Sequence, residues 1–112
     1  GQGQAWWDLA HRALKQKPPV KTDGMRPRMI RCNDCVGFAV RGLRLLNSPS
    51  FHLSASGSNC EVTDISIRSP NYALAPNTDG IDIACDGGYV ARNRVVNGDD
   101  SLCVKSPGSN VR

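Results

Sequence analysis

Apolar residues recur along this chain with two different periods. From Ala5 to Lys17, the positions Trp6, Trp7, Leu9, Ala10, Ala13 and Leu14 fall close to helical spacing, and Pro18-Pro19 ends the run. That pattern predicts one short N-terminal helix. The segment Lys21 to Pro27 has the composition of a loop, with Asp23-Gly24 as its turn signal. After Arg28 the period changes. Short runs rich in Val, Ile and Leu, each of strand length, are separated by Asn, Ser, Pro and Gly. The remainder is therefore expected to be all-β.

These runs repeat. Val40-Arg41-Gly42-Leu43-Arg44-Leu45 superposes on Val62-Thr63-Asp64-Ile65-Ser66-Ile67 at an offset of 22 residues, apolar on apolar. A weaker third copy, Ala91 to Val96, is placed a further 29 residues on. A second strand type recurs in Phe51-His52-Leu53, Ile81-Asp82-Ile83 and Leu102-Cys103-Val104. Ile83 to Val90 and Val104 to Val111 have the same spacing, bridged by Gly87-Gly88 and by Pro107-Gly108. Repeats of this length, each with several short strands and no helix, are what a parallel β-helix requires, because one rung buries its inner face only against its neighbours. An antiparallel sandwich also spaces short strands regularly. It calls for tight hairpins, yet Asp86-Gly87 and Asn97-Gly98 are not flanked on both sides by matched alternating strands.

Composition changes this picture only in part. The 112 residues suffice for one domain, but 39% apolar and 5% aromatic residues make a thin core. The lack of an initiator Met and of a leader pattern, with an apolar pattern starting again at Asn110-Val111-Arg112, leads to the expectation of an internal piece of a longer chain. A run of about 18 apolar residues, the least that spans a bilayer as a helix, does not occur in the sequence. The net charge of +4 would suit a polyanionic partner, but much of it lies between Arg12 and Arg31 without interleaved aromatics, and reads as a solvated face rather than a nucleic-acid site. Five cysteines (Cys32, Cys35, Cys60, Cys85, Cys103) leave at least one without a partner in this chain, and their spacing matches no paired zinc motif. Cys32-Asn33-Asp34-Cys35 reads as structural, as buried side chains or half of a disulfide, since nothing after it resembles the βαβ unit of a redox motif. The odd count suits a secreted protein with further cysteines elsewhere.

Candidate chemistry concentrates between Asn77 and Asp100, where Asp79, Asp82, Asp86, Asp99 and Asp100 occur among few basic residues. Neighbouring carboxylates raise one another's proton affinity, so one can stay protonated while another is ionised. Glycoside hydrolysis needs that division, with one group as acid and the other activating water or attacking the sugar. Asp79 and Asp99 are 20 residues apart, about one rung, so if both point outward from one face, stacking at the inter-strand distance of roughly 4.8 Å brings Asp79, Asp82, Asp99 and Asp100 into one patch. Turn aspartates or calcium ligands are the plain alternative.

Asn77-Thr78-Asp79-Gly80-Ile81-Asp82, followed by Asn97-Gly98-Asp99-Asp100-Ser101-Leu102-Cys103-Val104-Lys105, closely resembles two signature segments of the polygalacturonases, glycoside hydrolase family 28. Gly1-Gln2-Gly3-Gln4-Ala5-Trp6-Trp7, Arg26-Pro27-Arg28 and Gly42-Leu43-Arg44-Leu45-Leu46-Asn47-Ser48-Pro49 resemble the same family in the same order, so the likeness covers essentially the whole chain. The resemblance implies a right-handed parallel β-helix of the pectin-lyase-like kind, here one partial domain over residues 1–112. It implies a secreted, monomeric hydrolase of α-1,4-galacturonan in pectin, acting with inversion and without cofactor, metal, nucleic acid or membrane. By position Asp99 matches the family's general acid, and Asp79 with Asp100 the pair that holds and deprotonates the attacking water.

Asn77 is expected to position that group. Lys105, on the outward parity of its strand, is a candidate partner for a uronate carboxylate. His52 is a candidate substrate contact, with a satisfied wall histidine as the plain reading. Asp82 and Asp86 are expected to line the cleft and a turn, His11 to be solvated, and Trp6 and Trp7 to serve packing. The family's Gly-His-Gly and Arg-Ile-Lys segments are absent from this chain, so this piece alone is expected to be inactive. Ser101 stands where many members have a cysteine. Ile81-Asp82 after the first tetrad points to exo action. The alternatives are a rhamnogalacturonan or xylogalacturonan hydrolase and, in another class, a non-catalytic polysaccharide-binding β-helix or an inactive fragment.

Overall fold

The computed structural model describes residues 1–112, the side chain of Asp23 apart. Helix α1 (Gln4–Leu14) and a 3-10 turn (Asp23–Met25) precede ten strands. These are β1 (Ile30–Val36), β2 (Ala39–Arg41), β3 (Arg44–Leu46), β4 (Leu53–Ser58), β5 (Glu61–Thr63), β6 (Ser66–Arg68), β7 (Ile81–Asp86), β8 (Tyr89–Ala91), β9 (Arg94–Val96) and β10 (Leu102–Val104). They form three sheets in the orders β1-β4-β7-β10, β2-β5-β8 and β3-β6-β9, and every pairing is parallel. Each circuit of the chain adds one strand to each sheet. The architecture is a parallel β-helix of three rungs and the start of a fourth, as the repeats predict.

The offset of 22 residues holds in the register, with Val40 opposite Val62 and Leu45 opposite Ile67. The third copy needs a correction. Val90, not Ala91, faces Val62, and Val95 faces Ile67, an offset of 28 rather than 29. A slip of one residue would exchange inward for outward side chains. In the true register Arg92 stands outside, bonded through Nε and Nη2 to Asp64 at 2.7 Å each. The longer offset arises in the connection between β6 and β7, residues 69–80, which carries the first aspartate motif.

Two columns of left-handed residues make the corners. Gly37, Asn59 and Gly87 turn the chain from the first sheet into the second, with φ of 74°, 54° and 71°. Gly42, Asp64 and Arg92 turn it into the third, with φ of 65°, 55° and 53°. Gly, Asn and Asp take this conformation at least cost.

The core is a column of inward side chains. Leu53, Val62, Ile67, Ile81, Ile83 and the Cys60–Cys85 disulfide are buried, while Leu102 and Val104, in register with Ile81 and Ile83, are about half exposed because they end the stack. Helix α1 packs through Trp7, whose Nε1 donates to the Ser48 carbonyl at 3.0 Å, so its expected packing role holds. The basic stretch is not wholly a solvated face: Arg26 is 3% exposed. The expected strand Phe51-His52-Leu53 starts only at Leu53, leaving His52 in the preceding turn.

Cys32 and Cys35 pair with each other across a bulge in β1, where the register jumps from Cys32↔Ala55 to Cys35↔Gly57. Gly57 is at φ 125°, and a Cβ there would lie 2.1 Å from the Cys35 carbonyl oxygen. Gly57→Ala is expected to destabilise the fold by about 1–3 kcal/mol, from steric overlap and strain together. A chemical-denaturation midpoint equal to that of the wild type would contradict this close approach.

Candidate active site

The carboxylates of interest lie in the turns that enter the first sheet, not on the strands themselves. Ile81 of β7 pairs with Leu102 of β10, and two residues back the same register sets Asp79 beside Asp100. The ladder continues into the turns: Gly80 N–H donates to the Asp100 carbonyl at 2.8 Å, and His52 N–H to the Asp79 carbonyl at 2.8 Å. Phe51, Asp79 and Asp100 therefore form one column.

Polar groups beneath the column hold the two turns together. Thr78 is buried; its hydroxyl donates to the Ala75 carbonyl at 2.8 Å and accepts from Gly98 N–H at 3.0 Å and from Ser69 Oγ at 3.1 Å. Asn97 Nδ2 donates to the carbonyls of Thr78 and Asp100, at 3.0 and 2.8 Å. Both motif glycines are required by space. A Cβ on Gly80 would meet the Ser101 carbonyl oxygen at 2.5 Å, and one on Gly98 the Ala75 carbonyl oxygen at 2.3 Å.

Asp79 is 6% exposed, and among the described residues its Oδ1 has no hydrogen-bond partner. Burial, and then the charges of Asp82 and Asp99, push its pKa up to about 6. Asp100 is exposed, and Asp99 is half-buried, with Asn77 Nδ2 3.4 Å from its Oδ2 and Asp100 N–H donating to its Oδ1 at 3.1 Å. One oxygen of Asp79, one of Asp100 and the sulfur of Cys103 lie within 4.8 Å of one another. Among the described residues, three donor atoms that close are also a group that could hold a cation.

The structure thus brings Asp79, Asp99, Asp100 and Asn77 together. Lys105 is beside them but not free: its Nζ bonds Asp82 Oδ2 at 2.8 Å and sits 4.7 Å above the Phe51 ring. His52 is placed differently from a substrate contact. It is fully buried, its Nδ1 is 3.0 Å from the Asp79 carbonyl oxygen, and burial lowers its pKa. It supports the Asp79 turn from below. Asp86 stays at its turn, accepting from Ser109 Oγ at 2.6 Å and Asn110 Nδ2 at 2.9 Å. His11 meets the Leu74 carbonyl oxygen at 3.2 Å on the exposed side of the connection between β6 and β7.

Arg26 is a site residue that sequence reasoning passed over. Its guanidinium donates to the carbonyls of Pro49 and Pro76, at 3.1 and 2.8 Å, and to Asn77 Oδ1 at 2.5 Å. That last bond leaves the Asn77 amide nitrogen facing Asp99. Asn77 itself is left-handed, at φ 54°. A buried arginine cannot be told from a surface one by composition, and the only signal was its place in the Arg-Pro-Arg step.

The profile of Glycosyl hydrolases family 28 matches residues 1–112, and the chain belongs to that family of glycoside hydrolases. A polygalacturonase of Cryptomeria japonica is 36% identical over 99% of this chain and 21% of its own length. An endo-polygalacturonase of Pectobacterium carotovorum is 34% identical over 91% of the chain, and a probable rhamnogalacturonase B of Aspergillus terreus 37% identical over 76%. Among solved structures, a polygalacturonase from Erwinia carotovora superposes with a TM-score of 0.79 and 30% identity, covering 95% of this chain and 28% of that one. The chain thus spans about a fifth of the length of the curated relatives it matches.

Thr78→Val keeps the shape but leaves Gly98 N–H without its buried acceptor, and is expected to cost about 1–3 kcal/mol. A melting temperature unchanged from wild type would sink that role for the hydroxyl. Asp79 titrates higher folded than unfolded, so the native state binds more protons between about pH 4 and pH 6, and stability falls as pH rises through that window. Asp79→Asn removes the charge and is expected to stabilise the protein by about 1–3 kcal/mol above pH 6, with the gain fading towards pH 4. Melting curves across that range check the sign.

Proposed function

We propose that the protein carrying this chain hydrolyses α-1,4-galacturonosyl linkages of pectin with inversion, outside the cell. The observation that carries this reading is the column of Asp79 and Asp100 on adjacent rungs, with Asp99 beside it against the Asn77 amide. Asp99 is the general acid, protonating the leaving oxygen. Asp79 and Asp100 hold the water between them and take its proton. Inversion needs acid and base carboxyls about 6.5–9.5 Å apart, so that a water fits on the far face of the sugar. Asn77, fixed by Arg26, orients the acid. Lys105 reaches the uronate carboxylate by exchanging it for Asp82, and the ring of Phe51 beneath both Lys105 and Arg28 keeps the cations at the cleft floor.

Residues 1–112 form one partial β-helix domain, which supplies the carboxylates while the histidine and the further cationic grips come from later rungs. The exo mode rests on Ile81-Asp82, and the rhamnogalacturonase relative keeps rhamnogalacturonan as the second substrate to test.

Reducing-sugar release from polygalacturonate by the full-length protein tests the reading. Asp99→Asn is expected to lower kcat by about a hundredfold or more, the range for loss of a general acid. Equal rates would remove Asp99 from that role, and release from rhamnogalacturonan alone would move the substrate. Monomer or dimer as the sole early product supports exo action, and a ladder of oligomers overturns it.

A further inference from the structure

We propose that Cys103, Asp79 and Asp100 form a binding site for a thiophilic divalent cation of the zinc and cadmium class. The Cys103 sulfur is 3.1 Å from Asp100 Oδ2, and with one Asp79 oxygen the three donors fall within 4.8 Å of one another. Asp79 is 6% exposed, its Oδ1 has no hydrogen-bond partner among the described residues, and one of its carboxylate oxygens belongs to this group. Tetrahedral coordination at bond lengths of about 2.0–2.3 Å puts donors roughly 3.5 Å apart, so the set closes with a movement of about 1 Å. A sulfur donor selects zinc or cadmium over calcium or magnesium, which take oxygen only.

Charge favours the same occupant. A divalent ion adds positive charge beside carboxylates whose neighbouring cation, Lys105, is already paired with Asp82. On binding, the sulfur–hydrogen bond is exchanged for a sulfur–metal bond and the proton leaves to solvent. Cys103 follows Asp82 outward on the first sheet and is half-buried, which leaves an approach from the cleft. If Asp79 and Asp100 hold the attacking water, as proposed above, the ion takes that place and stops the reaction.

Titration of the full-length protein with cadmium alone, read by the ultraviolet absorbance of the cadmium–thiolate bond, tests the site without reference to activity. A band is expected in the wild type, lost in Cys103→Ala and weakened at least tenfold in affinity in Asp100→Asn. Cys103→Ser, nearly isosteric, gives the same reading should the alanine variant fold poorly. A band that survives at Cys103→Ala, affinity unchanged by Asp100→Asn, or thiol mapping that finds Cys103 in a disulfide would each overturn the proposal. Inhibition by zinc relieved at least tenfold in Cys103→Ala supports it. Cadmium binding by a protein that releases no sugar from pectin would remove the hydrolase reading and leave the metal site standing.

Discussion

Everything in this molecule hangs on parallel hydrogen bonding that does not stop at the strand ends. In an isolated sheet the ladder fixes the strands and leaves the turns free. Here Gly80 N–H donates to the Asp100 carbonyl, and His52 N–H to the Asp79 carbonyl, so the turns entering the first sheet keep the register of the strands. The inter-rung spacing of roughly 4.8 Å then sets the spacing of residues 79 and 100. The Asn97 and Thr78 hydrogen bonds beneath the turns then fasten residues 79 and 100 to each other's rung.

That placement works against the electrostatics. Asp79 is buried close to Asp82 and Asp99, and burial followed by those two charges pushes its pKa up to about 6. The fold tolerates this because the turns are anchored from below by neutral, fully used polar groups: the Thr78 hydroxyl, the Asn97 amide and the buried ring of His52. Lys105 offsets part of the charge through Asp82. A perturbed carboxyl held by a hydrogen-bonded platform marks this turn as a candidate functional site.

The solenoid was legible because apolar positions recur at a constant offset wherever the connections keep their length, as between Val40 and Val62. It blurred at the third rung because residues 69–80 lengthen the circuit, and a weak pattern at β8 and β9 offers little to resist a shift by one. The corner columns Gly37-Asn59-Gly87 and Gly42-Asp64-Arg92 would have pinned that register, although Arg92 hides the second one by taking a glycine's conformation. The aspartates could be read from the sequence as a cluster. Their supports could not: the burial of Arg26 and His52 depends on contacts with Pro49, Pro76 and Asp79, far along the chain. The pairing of Lys105 with Asp82 likewise needed the rung geometry.

The water-holding role proposed for Asp79 and Asp100 has one stereochemical consequence. A water held by stacked carboxylates attacks the face of the sugar opposite the leaving group, whereas a carboxylate acting as nucleophile gives two displacements and retention. Proton NMR of the first product released from polygalacturonate by the full-length protein separates the two. The β-anomer is expected at the earliest times, before mutarotation. The α-anomer would contradict the water-holding role of Asp79 and Asp100.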